Sequence, residues 1–494
     1  MSSRRPTPEQ DAAVAAFRCG DHLVLQAGAG TGKTTTLTML GNATRWQGRY
    51  IAFNKAIAAE AERKFGGNVR CSTAHKLAFK AVGHQFAERL KLPRMSTAKL
   101  AQLLGITMQV TIGARNLKPM SLCSIARETV LQYCYSADDI LGRQHVRWQK
   151  GITAEHEHAQ LTELVLPIAE RMWADLQTPD RGKVPFKPDH FLKMWALTRP
   201  KIHGEFLFLD EAQDTNPAVE QVFLAQDTHA QLVMVGDSAQ AIYGWRGARD
   251  VMTGFAGRQL ALSHSFRFGP AIADEANRWL TIADAPIRLT GSPHVTSSLQ
   301  PLTGTPDAIL CRTNGGAIAE ILALLADGRR VALAGRAEQL KDLAVAAQKL
   351  QAGQRTDHRD LVLFSTWGEV QEYVEWDPDG RDLVAFVDVI DEHGVDVVLA
   401  TLSQLSAETD AEVTVSTAHA AKGREWARVR IAADFPEPAD PEGVDLAGNS
   451  LPGKIEPEEA RLAYVAVTRA QNQLDLGGLS WIDRHPDGDP PQGS

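Results

Sequence analysis

At 494 residues, 44% of them hydrophobic, the chain is long enough for two to four domains with full cores. A net charge of −8 excludes a general basic coat for nucleic acid, though not a local basic track. Five scattered cysteines with no C-x-x-C pair argue for a reducing compartment and against a zinc site, and no apolar run approaches the roughly 18 residues of a membrane span. Met1 to Gln10 lacks an apolar signal core, so the expected location is cytoplasmic, nucleoid-associated if the source is prokaryotic.

In chain order, the apolar strand Leu23-Val24-Leu25 feeds Ala27-Gly28-Ala29-Gly30-Thr31-Gly32-Lys33-Thr34. This is a strand running into a phosphate-binding loop. Its glycines let backbone N–H groups face a triphosphate, Lys33 can reach the β and γ phosphates, and the Thr34 hydroxyl can hold Mg²⁺. Ala27 stands where the usual spacing has its first glycine, at the entry turn, away from phosphate. Tyr50 to Phe53 reads as a strand, Ala56 to Lys64 as a helix, Val69 to Thr73 as a strand and His75 onward as a helix, which together predict a parallel α/β sheet.

Residues 85–190 read as mainly helical, with basic and aromatic residues such as Arg143, Arg147, Trp148 and Lys150. Glu155-His156-Glu157-His158 reads as a solvated helix face, since no partner ligand cluster accompanies it. The sheet pattern resumes at Phe206-Leu207-Phe208-Leu209, ending in Asp210-Glu211, and at Leu232 to Val235. A carboxylate at a strand end beside a phosphate loop serves Mg²⁺, and Glu211 is placed to orient and deprotonate water. A second α/β unit is expected from Leu262, with strands at Ala308 to Leu310, Val331 to Leu333, Val413 to Val415 and Val429 to Ile431. Pro436 to Gly443 reads as an acidic loop and Asp483 to Ser494 as a disordered tail.

With these residues in place, the chain resembles a superfamily 1 DNA helicase of the UvrD/Rep type, and within it the helicase region of the F-box DNA helicases. Thr7-Pro8-Glu9-Gln10 resembles the Q motif, in which Gln10 would read the adenine edge. Phe53-Asn54-Lys55 and Thr73-Ala74-His75 resemble the strand-binding segments Ia and Ib. Gly236 to Ala248 is similar to motif III, which implies a γ-phosphate sensor at Gln240, a base platform at Trp245, and DNA contacts at Tyr243 and Arg246. Ser263-His264-Ser265-Phe266-Arg267 resembles motif IV, implying that Phe266 covers adenine and Arg267 reaches the γ phosphate. Cys311-Arg312-Thr313-Asn314 resembles the segment after it, and Thr417 to Trp426 resembles motif V, implying DNA contacts at Arg312 and His419 and ribose binding by Glu425. For His75 and His419, bonds to DNA phosphate or to neighbouring motifs are both open. Ala463 to Ala470 resembles motif VI, with Arg469 as a second arginine finger.

The resemblance implies two RecA-like parallel-sheet P-loop domains of α/β class, each with a mainly helical insertion. The expected bounds are 1–84 and 191–261 for the first domain around an insertion at 85–190. For the second they are 262–336 and 409–482 around a short insertion at 337–408, with the tail at 483–494. Catalysis is expected from Lys33, Asp210, Glu211, Gln240, Arg267 and Arg469. Nucleotide binding is expected from Gln10, Gly28, Ala29, Gly30, Thr31, Gly32, Lys33, Thr34, Thr35, Phe266 and Glu425, and Mg²⁺ binding from Thr34 and Asp210. The implied cofactors are ATP and Mg²⁺. The implied partners are single-stranded DNA and single/double-strand junctions, with recombinase filaments or a nuclease as further possibilities and no membrane. Arginines in one unit facing a phosphate loop in the other would sandwich ATP and couple its hydrolysis to motion of the units. The expected activity is 3′-to-5′ translocation and unwinding. The alternative is a DNA-stimulated ATPase that remodels protein–DNA complexes or serves a nuclease, because the second insertion is short. An inactive scaffold is disfavoured by the intact catalytic set. No F-box is expected before the Q motif and no nuclease after motif VI, so ubiquitin-ligase function is not carried over.

Overall fold

The computed structural model describes residues 5–92, 95, 97–113, 115–149, 152–242, 252, 254–335, 337–362, 364–376, 381–444 and 450–488. The first unit is built on β1 (Leu23–Ala27), β2 (Gly48–Ala52), β3 (Val69–Thr73), β6 (Phe206–Asp210), β7 (Gln231–Gly236) and β8 (Arg258–Leu262), with the small hairpin β4 (Val110–Ile112) and β5 (Arg115–Leu117) intervening in sequence. Its sheet runs β3-β2-β6-β7-β1-β8, every pair parallel. Such strands are covered on both faces and so read as near-continuous apolar runs. Leu25, Tyr50, Phe206, Phe208 and Val235 face one helical layer, whereas Val24, Ile51, Leu207, Leu209 and Met234 face the other, where they merge with the core of the first insertion.

The second sheet comprises β9 (Ser298–Leu299), β10 (Ala308–Cys311), β11 (Val331–Leu333), β12 (Val413–Thr417), β13 (Trp426–Ile431) and β16 (Ala470–Asp475), and its order is β11-β12-β10-β13-β16-β9, again parallel. Four helices, Ala337–Gln351, Trp367–Trp376, Arg381–His393 and Val395–Leu402, form the second insertion around their own core.

Three sequence expectations need correction. Leu262 closes β8 and pairs with Ala27, so it belongs to the first sheet and not to the start of the second unit. The stretch from Pro436 to Gly443 is not all loop, because β14 (Ala439–Val444) pairs antiparallel with β15 (Ser450–Pro452). The expected tail holds ordered structure, in 3₁₀ turns at Gly477–Arg484 and Pro486–Gly488, and residues 489–494 lie outside the described residues. Its anchors are Trp481, edge-on to Trp279 at 5.9 Å, and His485, whose Nε2 bonds the Gly453 carbonyl at 2.9 Å.

A strap from the second insertion crosses to the first. Val362 is buried in the first insertion's core, Ser121 Oγ donates to the Val362 carbonyl at 3.3 Å, and the Arg115 guanidinium lies 4.9 Å over the Phe364 ring.

Candidate active site

The C-terminal ends of β1, β6, β7 and β8 converge, as ligand-binding edges of doubly wound sheets do. After β1, Gly30 and Gly32 take φ of +75° and +79°, and Gly32 caps the ten-residue helix Lys33–Asn42. A Cβ on Gly30 would stand 2.6 Å from both Arg267 Cβ and Ser265 Oγ, so glycine is required for conformation and for close approach alike. The helix N-terminus behind this loop favours an anion. Thr31 is buried and donates to the Gly28 carbonyl at 2.9 Å, Ala29 is buried, and Thr35 lies on the exposed side of the helix.

β6 delivers Asp210, 3% exposed, whose Oδ1 accepts the Glu211 N–H at 2.9 Å and whose Oδ2 accepts the Tyr50 hydroxyl. Burial, and then the charge of Glu211, push the Asp210 carboxyl above its usual range, an environment that favours a cation. Glu211 sits at φ +52°, a conformation costly for a side chain of this kind and typical of functional sites. Its carboxylate lies 3.6 Å from Lys33 Nζ and accepts from Gln213 Nε2 at 2.7 Å. Burial draws its pKa up, but Lys33 and Lys422 outweigh burial and hold it below the ordinary range, ionised as a base must be.

The second unit closes the other side. Tyr464, on the helix Pro457–Val467, donates to Asp237 at 2.8 Å and accepts the Ala29 N–H at 3.0 Å, joining the phosphate loop to the end of β7. Arg267 donates from Nε to Glu425 at 2.6 Å and from one terminal nitrogen to the Thr468 carbonyl at 3.0 Å. Arg469 is 1% exposed and bonds the Val465 and Arg424 carbonyls at 2.8 and 3.3 Å; burial, and then Arg267, lower its pKa to about 9. Gln240 Nε2 is engaged by Asp237 at 2.6 Å.

At the far end, the Phe266 ring and the Gln10 amide both lie 3.5 Å from where a Gly32 Cβ would be, flanking the loop. Gln10 Oε1 accepts from Thr7 N at 3.1 Å and its Nε2 donates to Thr36 Oγ1 at 3.0 Å, and these bonds fix the amide beside the loop. Glu425 accepts from Arg267 through one carboxylate oxygen and, at 2.9 Å, from Gln471 through the other.

Of the residues expected at DNA, Phe53 is 41% exposed, while Asn54 and Thr73 cap the helices Lys55–Lys64 and Ala74–Ala81. His75 Nε2 lies 3.3 Å from Asp189. Arg312 forms a bidentate pair with Glu459 at 2.9 and 2.6 Å, and with His419 it lines a groove of about 790 Å³ between the second sheet and its insertion. Tyr243, Trp245 and Arg246 lie outside the described residues.

Thr34 and Asp210 offer hard oxygen donors suited to Mg²⁺. Among the described residues no group of three or more His, Cys, Asp or Glu side chains could hold a metal alone. The sequence reading assigned no role to Tyr50, Gln213, Asp214, Asp237, Lys422 or Tyr464. Tyr50 carried a signal, a phenol beside Ile51 and Ala52 in a buried strand.

A phosphate loop on one parallel sheet, met by arginines from a second, defines an α/β P-loop protein of two RecA-like units. An AAA domain model matches residues 10–246 and a UvrD-like helicase C-terminal domain model matches 333–479. The chain is 30% identical to F-box DNA helicase protein 1 of Schizosaccharomyces pombe, over 92% of this chain and 55% of that protein. It is 28% identical to F-box DNA helicase 1 of Gallus gallus, over 92% and 47%, and 28% identical to the ATP-dependent DNA helicase PcrA of Leuconostoc citreum, over 46% and 32%. The chain therefore belongs to the UvrD-like superfamily 1 helicases. It spans about half the length of the F-box helicases it matches.

Proposed function

We propose that this chain is an ATP-driven 3′-to-5′ translocase on single-stranded DNA that unwinds short duplexes. The observation that carries the reading is that Lys33, Asp210 and Glu211 gather at one sheet's edge while Tyr464 of the second unit bonds across to Ala29 and Asp237, and Arg267 packs against Gly30. Lys33 and the loop N–H groups would hold the phosphates, and Thr34 with Asp210 would hold Mg²⁺, which when bound neutralises charge on the transferring phosphoryl group. Glu211, ionised and fixed by Gln213, would orient the attacking water, and the arginines would stabilise charge that develops in the transition state. Residues 1–84 with 191–262, and 263–336 with 409–482, would be the two motor domains, and the groove beside Arg312 and His419 would form part of the strand track.

Polarity rests on family membership. Matched 3′-tailed, 5′-tailed and blunt DNA duplexes test it: selective opening of the 3′-tailed substrate is expected, and preference for the 5′ tail overturns it. The compact second insertion favours one further reading, a DNA-stimulated ATPase that remodels protein–DNA complexes. Strong single-strand-stimulated turnover without strand separation would select it.

A further inference from the structure

Lys422 follows the short helix Ala418–Ala421 and reaches out of the second unit into the first. Its ammonium donates to Asp214 Oδ1 at 2.7 Å and to the Gln240 carbonyl at 2.5 Å. It is 9% exposed and Asp214 is 3% exposed, so the pair is shielded from water and salt. Asp214 continues inward. Gln213 Nε2 contacts Asp214 Oδ2 at 3.5 Å and Glu211 Oε2 at 2.7 Å, and Gln213 Oε1 accepts the Asp237 N–H at 3.0 Å. Gln213 has no exposed surface, so its amide has little freedom to turn independently.

Both ends of this chain of contacts adjoin working parts. Thr417, His419 and Ala420, just before Lys422, line the groove, as do Ala241 and Ile242, just after the carbonyl that Lys422 holds. At the other end stands Glu211. A shift of the segment Thr417–Lys422 within the groove must therefore either carry Asp214 with it or break a buried ion pair, and leaving one partner buried and uncompensated is strongly unfavourable.

We infer that Lys422 is a positioning residue that ties occupancy of the groove by single-stranded DNA to the orientation of the Glu211 carboxylate, through Asp214 and Gln213. The inference rests on the proposed function and adds to it the route by which the strand would switch on hydrolysis. It involves no contact between Lys422 and nucleotide.

The test is steady-state ATPase of the full chain with and without a single-stranded homopolymer oligonucleotide, for wild type, Lys422→Met, Lys422→Arg, Asp214→Asn and the Met/Asn double variant. Oligonucleotide affinity is read in parallel by fluorescence anisotropy. The stimulated-to-unstimulated ratio of kcat should fall by about tenfold in Lys422→Met and in Asp214→Asn, with KM for ATP and oligonucleotide affinity little changed. The double variant should be no worse than either single one, and Lys422→Arg should recover part of the ratio. If Lys422→Met does not fold, Asp214→Asn and Lys422→Arg carry the same test from either end. An unchanged ratio, an equal fall of both rates, or a loss traced wholly to oligonucleotide affinity overturns the inference while the function stands. A wild type whose ATPase ignores single strands overturns the proposed function and the inference with it.

Discussion

Lys33 lies 3.6 Å from the Glu211 carboxylate and, in the proposed function, would also hold a phosphate. Lys33→Ala should abolish ATP turnover, since it removes the phosphate-neutralising charge and leaves burial of Glu211 less opposed. Glu211→Gln should retain nucleotide binding and lose hydrolysis; a wild-type hydrolysis rate in that variant would remove Glu211 as the base. Arg267→Ala and Arg469→Ala should each lower kcat by at least about a hundredfold with modest loss of ATP affinity. Steady-state kinetics showing only a raised KM would make them ground-state binders. Trp245→Ala should weaken single-strand binding by about 1–3 kcal/mol, and an oligonucleotide titration with unchanged affinity would return this ring to the core. Lys33, Asp210 and Glu211 could be proposed from the sequence because each lies just beyond or at the end of an apolar strand. What could not be read is how they are held. The bonds of Gln10 to Thr36, of Arg267 to Glu425 and of Tyr464 to Asp237 join segments 26, 158 and 227 residues apart.

Among elements, the buried parallel strands announced themselves as apolar runs bounded by glycine or acid. The ribbon of β14 and β15 did not. Its prolines and acids suit a two-stranded edge structure as well as they suit a loop. The C-terminal turns were hidden by composition too, since Trp481 and Ile482 anchor residues that are individually polar. The helix Pro188–Leu197 carries an expectation of its own. His190 is buried, accepts the Lys187 N–H at 3.0 Å, and burial lowers its pKa to about 3. The folded chain thus refuses a proton that the unfolded chain accepts below its ordinary value near 6.5, so this contribution to stability is full above that value and drains as pH falls toward about 3. Urea unfolding at about pH 5.5 should show a loss on the order of 1 kcal/mol from this group relative to about pH 7.5. His190→Gln, which keeps an acceptor for the Lys187 N–H, should flatten that dependence, and an unchanged slope would assign it to other groups.

For the whole molecule, the sequence disclosed two sheets and two insertions, but not that the insertions touch. A short second insertion implies a weak hold on duplex, so translocation on single strands should be ready and unwinding should be confined to short 3′-tailed duplexes unless several copies act together. Kilobase unwinding by a lone monomer would contradict this, and loading should weaken as salt rises. The strap changes what motion is open to such a machine. Among the described residues the units meet at the nucleotide seam, through Tyr464, Lys422 and others, and also where Val362 enters the first insertion. Two bodies fastened at two separated places cannot simply part like jaws. While both fastenings hold, the motion left to them is a rocking about the line that joins the two. Wider opening requires Val362 to leave an apolar core, a toll of order 1.5–3 kcal/mol for a side chain of its size. The strap therefore acts as a fulcrum under small strokes and as a latch against large ones.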